Sequence, residues 1–232
     1  MNPATLSADL AGLFLPGVAA AVLREPGDLE LLMPQEARHL GRAVQKRARE
    51  FAAGRLCARR AMAEFGIVDF PLEVAEDRQP KWPDSMVGSI THTAGFCAAV
   101  AAPRRLAAAL GLDSEVVGDV KPDILSHICV AEEIVWLESI PESERAAASA
   151  LLFSAKESFY KFQYPAVGER LGFLDVSVTV LEWASPRGMF EINATRGMAM
   201  AALAPPPLTG RYLFHEEFVT TGMSLAGGAL HQ

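Results

Sequence analysis

An α+β fold of two lobes, each a small antiparallel sheet packed with helices, is predicted by three observations. Helical and strand periodicities both occur in each half of the 232-residue chain. The strand-like runs are short and separated by turn residues, as in hairpins. Half of the residues are hydrophobic, enough to build real cores. The charged fraction is ordinary, and no low-complexity tract, heptad array or solenoid repeat is present, which excludes disordered, fibrous and array classes.

Taken in order, the apolar run from Leu10 to Leu23 follows an acid, Asp9, and precedes the first basic residue, Arg24, the reverse of a secretory leader, so it reads as mature chain. From Gln35 to about Glu64 Leu40, Val44, Ala48 and Phe51 recur at helical spacing behind Pro34, which predicts one helix. Val87 to Thr91 and Phe96 to Ala101, joined through Thr93-Ala94-Gly95, predict a hairpin, and Ala107 to Leu112 a third strand running into Asp113-Ser114-Glu115. The second half predicts a short helix over Glu132 to Leu137, a longer one over Ala146 to Gln163, and three strands, Phe173 to Leu181, Met189 to Ala194 and Tyr212 to Val219. Ser185-Pro186-Arg187-Gly188 and Pro205-Pro206-Pro207 are expected as connections. The lobes divide near Gly111 to Lys121, set here at 1–112 and 113–232.

Charge is segregated. In a chain of net charge −7, Arg38 to Arg60 holds eight Lys or Arg against one acid, Glu50. Such a patch in an acidic protein points to a localised anionic ligand rather than to a nucleic acid, which needs a wider basic footprint; a solvated helix face would show the same composition. No run approaches the roughly 20 apolar residues that span a bilayer. The three cysteines, Cys57, Cys97 and Cys129, are odd in number and widely spaced, which suits neither a disulfide framework nor a zinc knuckle and predicts a reducing cytoplasm.

Alternation along an extended segment places Asp113 and Glu115 on one face, with Ser114 on the other. Two hard oxygen donors side by side suit Mg²⁺ beside a phosphate, although a solvated strand end would look alike. In Leu151 to Phe162, Leu152, Ala155, Phe159 and Phe162 form an apolar stripe, while Glu157 and Lys161 lie nearly opposite it and Lys156 to one side. An exposed ion pair would explain Glu157 and Lys161, but two of the chain's five lysines stand here beside a third carboxylate. Metal and lysines together could neutralise charge on a leaving phosphate. Thr91-His92 ends a strand among small hydroxyl residues, open to a phosphate oxygen. The chain has no Walker A loop, no GxGxxG opening a βαβ unit, no nucleophile elbow and no HExxH.

RAREFAAGRLCARRA (Arg47 to Ala61), RQPKWP (Arg78 to Pro83), VGSITHTAG (Val87 to Gly95), GLDSE (Gly111 to Glu115) and LLFSAKESFYKF (Leu151 to Phe162) together resemble the 4′-phosphopantetheinyl transferase superfamily, in the short bacterial branch that includes the enterobactin-synthetase component. These motifs cover about half of the chain. The resemblance implies two pseudo-symmetric α+β lobes with coenzyme A in the cleft between them. Residues 1–112 would take its nucleotide end, and 113–232 would carry the metal site and catalytic helix. By position, Asp113, Glu115 and Glu157 would hold Mg²⁺, with Mn²⁺ as an alternative, and Lys156 and Lys161 would contact phosphates. Arg47, Arg55, Arg78 and His92, with Thr91 beside them, would receive the 3′-phosphate end.

The implied reaction is attack of a carrier-protein serine on the β-phosphorus of coenzyme A, releasing 3′,5′-ADP. Glu157, directly or through water, is the expected base, with Glu133 as a second candidate, and Lys161 would stabilise the leaving phosphate. The implied partner is an apo acyl or peptidyl carrier protein of siderophore, polyketide, fatty-acid or peptide synthesis; a monomer suffices, and neither nucleic acid nor membrane is expected. The family commonly has an aliphatic residue where Ser114 stands, and a packing effect alone is expected of it. A metal-dependent hydrolase of nucleotide diphosphates and a non-catalytic coenzyme A-binding module remain as alternatives.

Overall fold

The computed structural model describes residues 2–183, 186–194 and 207–228. Two antiparallel sheets organise them, each crossed by a long helix. The first lobe holds β1 (Ala19–Leu23), β2 (Met86–Thr93) and β3 (Phe96–Pro103) in the order β1-β3-β2, with α3 (Gln45–Ala63) packed against them. The second holds β4 (Ala107–Val116), β5 (Val176–Val180), β6 (Arg187–Ala194), β7 (Leu208–His215) and β8 (Phe218–Ala226) in the order β4-β8-β7-β6-β5, packed on α6 (Arg145–Val167). α1 (Pro3–Ala11), α2 (Pro34–Ala37), α4 (Leu125–Ile128) and α5 (Ala131–Ser139) complete the helices. Among the described residues no helix is long and apolar enough to cross a membrane.

Among the described residues the two sheets are unequal, three strands against five, and the first 18 residues pack against both. α1 starts on Asn2, whose side chain accepts the Ala4 N–H at 2.9 Å, and Pro3 sits where its missing N–H costs nothing. Leu6, Leu10, Leu13 and Phe14 then share a core with Val100 of β3, Leu110 and Leu112 of β4 and Phe218 of β8. With α3 on one side and this segment on the other, β3 is buried at all eight positions, which its small residues permit. Each large apolar side chain so buried contributes about 1.5–3 kcal/mol.

Several expectations are corrected. The single helix expected over 35–64 breaks into α2 and α3. Glu36 is turned inward to accept the Met33 and Leu72 N–H groups, both at 3.0 Å, and Gly41 adopts φ 50° in the connection, which no helix continues through. The strand expected over Tyr212 to Val219 is a hairpin, β7 and β8, turning at Glu216-Glu217 with Glu216 at φ 51°. α6 runs past Gln163 to Val167, through Pro165, and ends on Gly168 in the left-handed region. Arg187-Gly188 opens β6 rather than linking strands, while Ser185 and Pro205-Pro206 lie outside the described residues. The chain changes sheet at Arg104–Leu106, so a division after residue 112 would cut β4 in two.

Candidate active site

β4 presents Gly111, Asp113 and Glu115 to α6, since alternate side chains share a face. Gly111 is required there: a Cβ would fall 2.0 Å from the Ser158 carbonyl oxygen and 2.6 Å from Phe162 Cβ. This close approach brings Lys161 of α6 to the strand, where its Nζ donates to Asp113 Oδ1 at 2.7 Å. Asp113 is 3 % exposed, and its other oxygen, Oδ2, is buried with no partner.

Glu115 and Glu157 extend this into an acidic cluster. Loss of water, and then repulsion from Asp113, pushes the Glu115 carboxyl up to about 8, and the same two causes in that order raise Glu157. Lys161 opposes both shifts. Three carboxylates sharing one ammonium, with one buried oxygen unsatisfied, make a donor set that fits a hard divalent cation. The side chains are not closed into a cage as they stand; among the described residues no three His, Cys, Asp or Glu are so gathered.

The free edge of β4 meets β2 through hydroxyls instead of a backbone ladder. The Leu112 N–H donates to Ser89 Oγ and the Ser114 N–H to Thr91 Oγ1, each at 3.0 Å, so these two edge donors are satisfied without a strand partner. Thr91 in turn donates to Asp113 Oδ1 at 3.2 Å. At 2 % exposure Thr91 belongs to this seam between the lobes and is not open to a ligand.

Between the lobes lies a cavity of about 540 Å³. Arg78 and Trp82 from the 77–82 loop, Ser89 of β2, and Tyr160, Lys161 and Tyr164 of α6 line it. Trp82 packs on Gly88, where a Cβ would stand 2.4 Å from the indole. Arg47 and His92 form a separate, exposed rim. Arg47 Nη1 donates to His92 Nε2 at 2.8 Å, which needs that nitrogen unprotonated; partial desolvation of the imidazole, which keeps about two fifths of its surface exposed, comes first, and the charge of Arg47 as well, in lowering the His92 pKa accordingly.

Lys156 and Glu133, expected at the phosphates and as a base, are instead a buried structural pair, each 2 % exposed. All three ammonium protons of Lys156 are committed, to Glu133 Oε2 at 2.7 Å, Ile128 O at 2.7 Å and Phe173 O at 2.8 Å. Glu133 also accepts the Val130 and Val178 N–H groups at 2.8 and 2.7 Å, so neither oxygen is open to a substrate proton. Arg55 is also buried. Its Nε donates to Leu72 O at 2.8 Å and its guanidinium lies 4.0 Å from the Phe51 ring centroid, and desolvation lowers its pKa to about 10. Sequence reasoning passed over Tyr160 and Tyr164, stacked at 5.2 Å in the cavity wall, although their i,i+4 spacing on a helix was a signal.

Residues 35–102 match the family model described as the 4′-phosphopantetheinyl transferase N-terminal domain, and residues 109–201 that of the 4′-phosphopantetheinyl transferase superfamily. The chain is similar to 4′-phosphopantetheinyl transferase PptT of Mycobacterium tuberculosis (strain ATCC 25618 / H37Rv), with 33% identity covering 96% of this chain and 95% of that protein. It is 40% identical to 4′-phosphopantetheinyl transferase Svp of Streptomyces mobaraensis over 66% of this chain and 62% of Svp. Enterobactin synthase component D of Salmonella typhi is 35% identical over 51% of this chain and 49% of its own length. With PptT aligned over nearly its whole length, and the gap between the two family models, residues 103–108, containing the turn at which the chain changes sheet, the chain belongs to the 4′-phosphopantetheinyl transferase superfamily.

Proposed function

We propose that the protein transfers the 4′-phosphopantetheine arm of coenzyme A to a serine of an apo acyl or peptidyl carrier protein, releasing 3′,5′-ADP. The observation that carries this reading is the unpartnered, buried Asp113 Oδ2 in the cluster with Glu115 and Glu157, joined through Lys161, which donates to Asp113 Oδ1, to the interlobe cavity that Lys161 and Arg78 line. Asp113, Glu115 and Glu157 would hold Mg²⁺, or Mn²⁺, which would supply charge neutralisation at the diphosphate. The buried free thiols fit a reducing compartment such as the cytoplasm, and two lobes on one chain make a monomer sufficient.

In the reaction the carrier serine oxygen bonds to the β-phosphorus. The bond from that phosphorus to the bridging oxygen breaks, and the electron pair leaves with 3′,5′-ADP. Glu157 accepts the serine proton, directly or through a water. Lys161 is anchored by Asp113 Oδ1 and turns its remaining ammonium protons to the leaving phosphate. Arg47, His92 and Arg78 bind the nucleotide end, where guanidinium geometry suits a phosphate monoester. Arg55, behind them, holds the 72 region to α3.

Mass spectrometry of an apo carrier incubated with the protein, coenzyme A and Mg²⁺ tests the proposal. The carrier gains the arm's mass on one serine. An unmodified carrier with coenzyme A cleaved would point to a hydrolase, and intact coenzyme A to a binding module.

A further inference from the structure

On the face of β4 opposite the acids, Ser114 heads a buried polar chain that the reaction does not use. Ser114 stands directly across the ladder from Thr220 of β8, and their hydroxyl oxygens are 2.7 Å apart. Thr220 Oγ1 is in turn 2.8 Å from Nε2 of His215, at the end of β7. The three residues are 1 %, 0 % and 3 % exposed. The His215 ring lies against Phe96 and Phe218, with centroids 5.3 and 5.7 Å away.

The direction of the chain follows from counting protons. Burial keeps His215 neutral, with one N–H. Its Nδ1 is buried without a partner, and an orphaned donor is rarer in folded proteins than an orphaned acceptor, so the proton sits on Nε2 and is given to Thr220. Thr220 then gives its own proton to Ser114 Oγ. On the other side, the Ser114 N–H is held by Thr91, whose hydroxyl proton reaches Asp113 Oδ1. The strand is thus gripped at the residue midway between the two carboxylates, from across the ladder and from its free edge.

We propose that His215 and Thr220 are positioning residues: acting through Ser114, they fix the tilt of β4 and with it the mutual placement of Asp113 and Glu115 toward a divalent cation. This rests on the metal reading above. Groups that orient metal ligands from behind typically change metal affinity 10- to 100-fold when removed. Thr220→Val keeps the shape and deletes the hydroxyl, whereas Thr220→Ser keeps the hydroxyl and deletes a methyl.

The test is calorimetric titration of Mg²⁺ into the protein–coenzyme A complex without carrier, so that no turnover contributes, with a thermal melt of each variant. Thr220→Val should weaken Mg²⁺ binding about tenfold, Thr220→Ser should stay close to the parent, and coenzyme A affinity without Mg²⁺ should not change. His215→Phe keeps a ring, gives the same weakening, and carries the test if Thr220→Val fails to fold. Parent-like Mg²⁺ binding in Thr220→Val or His215→Phe, or equal weakening in Thr220→Ser and Thr220→Val, would overturn the proposal. Asp113→Asn separates the two levels. If it too binds Mg²⁺ like the parent, the metal reading itself fails; if it alone loses binding, only the positioning role fails.

Discussion

Lys156→Met removes one member of a pair that is fully out of water, and its consequence can be worked from the hydrogen bonds. The substitution keeps most of the side-chain volume but withdraws three donors, from Glu133, Ile128 O and Phe173 O. Glu133 keeps the Val130 and Val178 N–H groups but loses its counter-charge. Breaking a buried pair from one side costs about 3–5 kcal/mol, a large share of the roughly 5–15 kcal/mol that holds a domain folded.

The loss should also depend on pH. Burial already raises the Glu133 pKa above 4.5, and without Lys156 it rises further. A carboxyl whose folded pKa exceeds its unfolded value contributes stability that is present below the unfolded pKa and lost as pH climbs through the folded one. The deficit of Lys156→Met should therefore be smallest near pH 4.5 and grow toward pH 8. Urea denaturation of parent and variant across that range measures it. Unchanged stability together with weakened coenzyme A binding would refute the reasoning and return Lys156 to the phosphates.

Three further outcomes are expected. Glu157→Ala should abolish arm transfer in a carrier assay while leaving the melting temperature unlowered, because it removes a carboxylate that desolvation first and repulsion from Asp113 second both disfavour; transfer near the parent rate would remove Glu157 as base. Gly111→Ala should destabilise by about 3 kcal/mol or more, since a Cβ 2.0 Å from Ser158 O forces α6 off β4, and differential denaturation with a transfer assay should show both stability and activity falling. Without divalent cations, stability should fall as pH rises from about 4.5 to 8, because the raised Glu115 pKa makes its contribution present in acid and lost through 8; Glu115→Gln should flatten that slope in thermal melts taken at successive pH values, and Mg²⁺ should restore the parent.

Local pattern made much of this protein legible. The hairpin of β2 and β3, the long helix α6 and the shared face of Asp113 and Glu115 follow from periodicity and alternation, which act over a few residues. The β7–β8 hairpin did not show, because its turn is Glu216-Glu217 and carries no glycine or asparagine at the position with positive φ. β1 was hidden in an apolar run whose partner, β3, lies about 80 residues away. The break between α2 and α3 depends on Glu36 reaching Leu72, a contact that no local window contains.

The same division runs through the site. Residue type and spacing alone determined which carboxylates share a strand face, that Glu157 and Lys161 leave the apolar stripe of α6, and that the cations gather near α3, because these are properties of one element at a time. Only the tertiary structure decided which charges face the cleft and which are consumed in the fold. Lys156 and Lys161 lie one and a half turns apart on the same helix, yet the first is enclosed by α5 and the 173 turn while the second reaches Asp113. Ser89 and Thr91 likewise became the seam between the lobes only when β4 arrived beside them with unpaired N–H groups. The physical reason is that a buried polar group takes its role from whichever partner folding brings within about 3 Å, and that partner lies elsewhere in the chain.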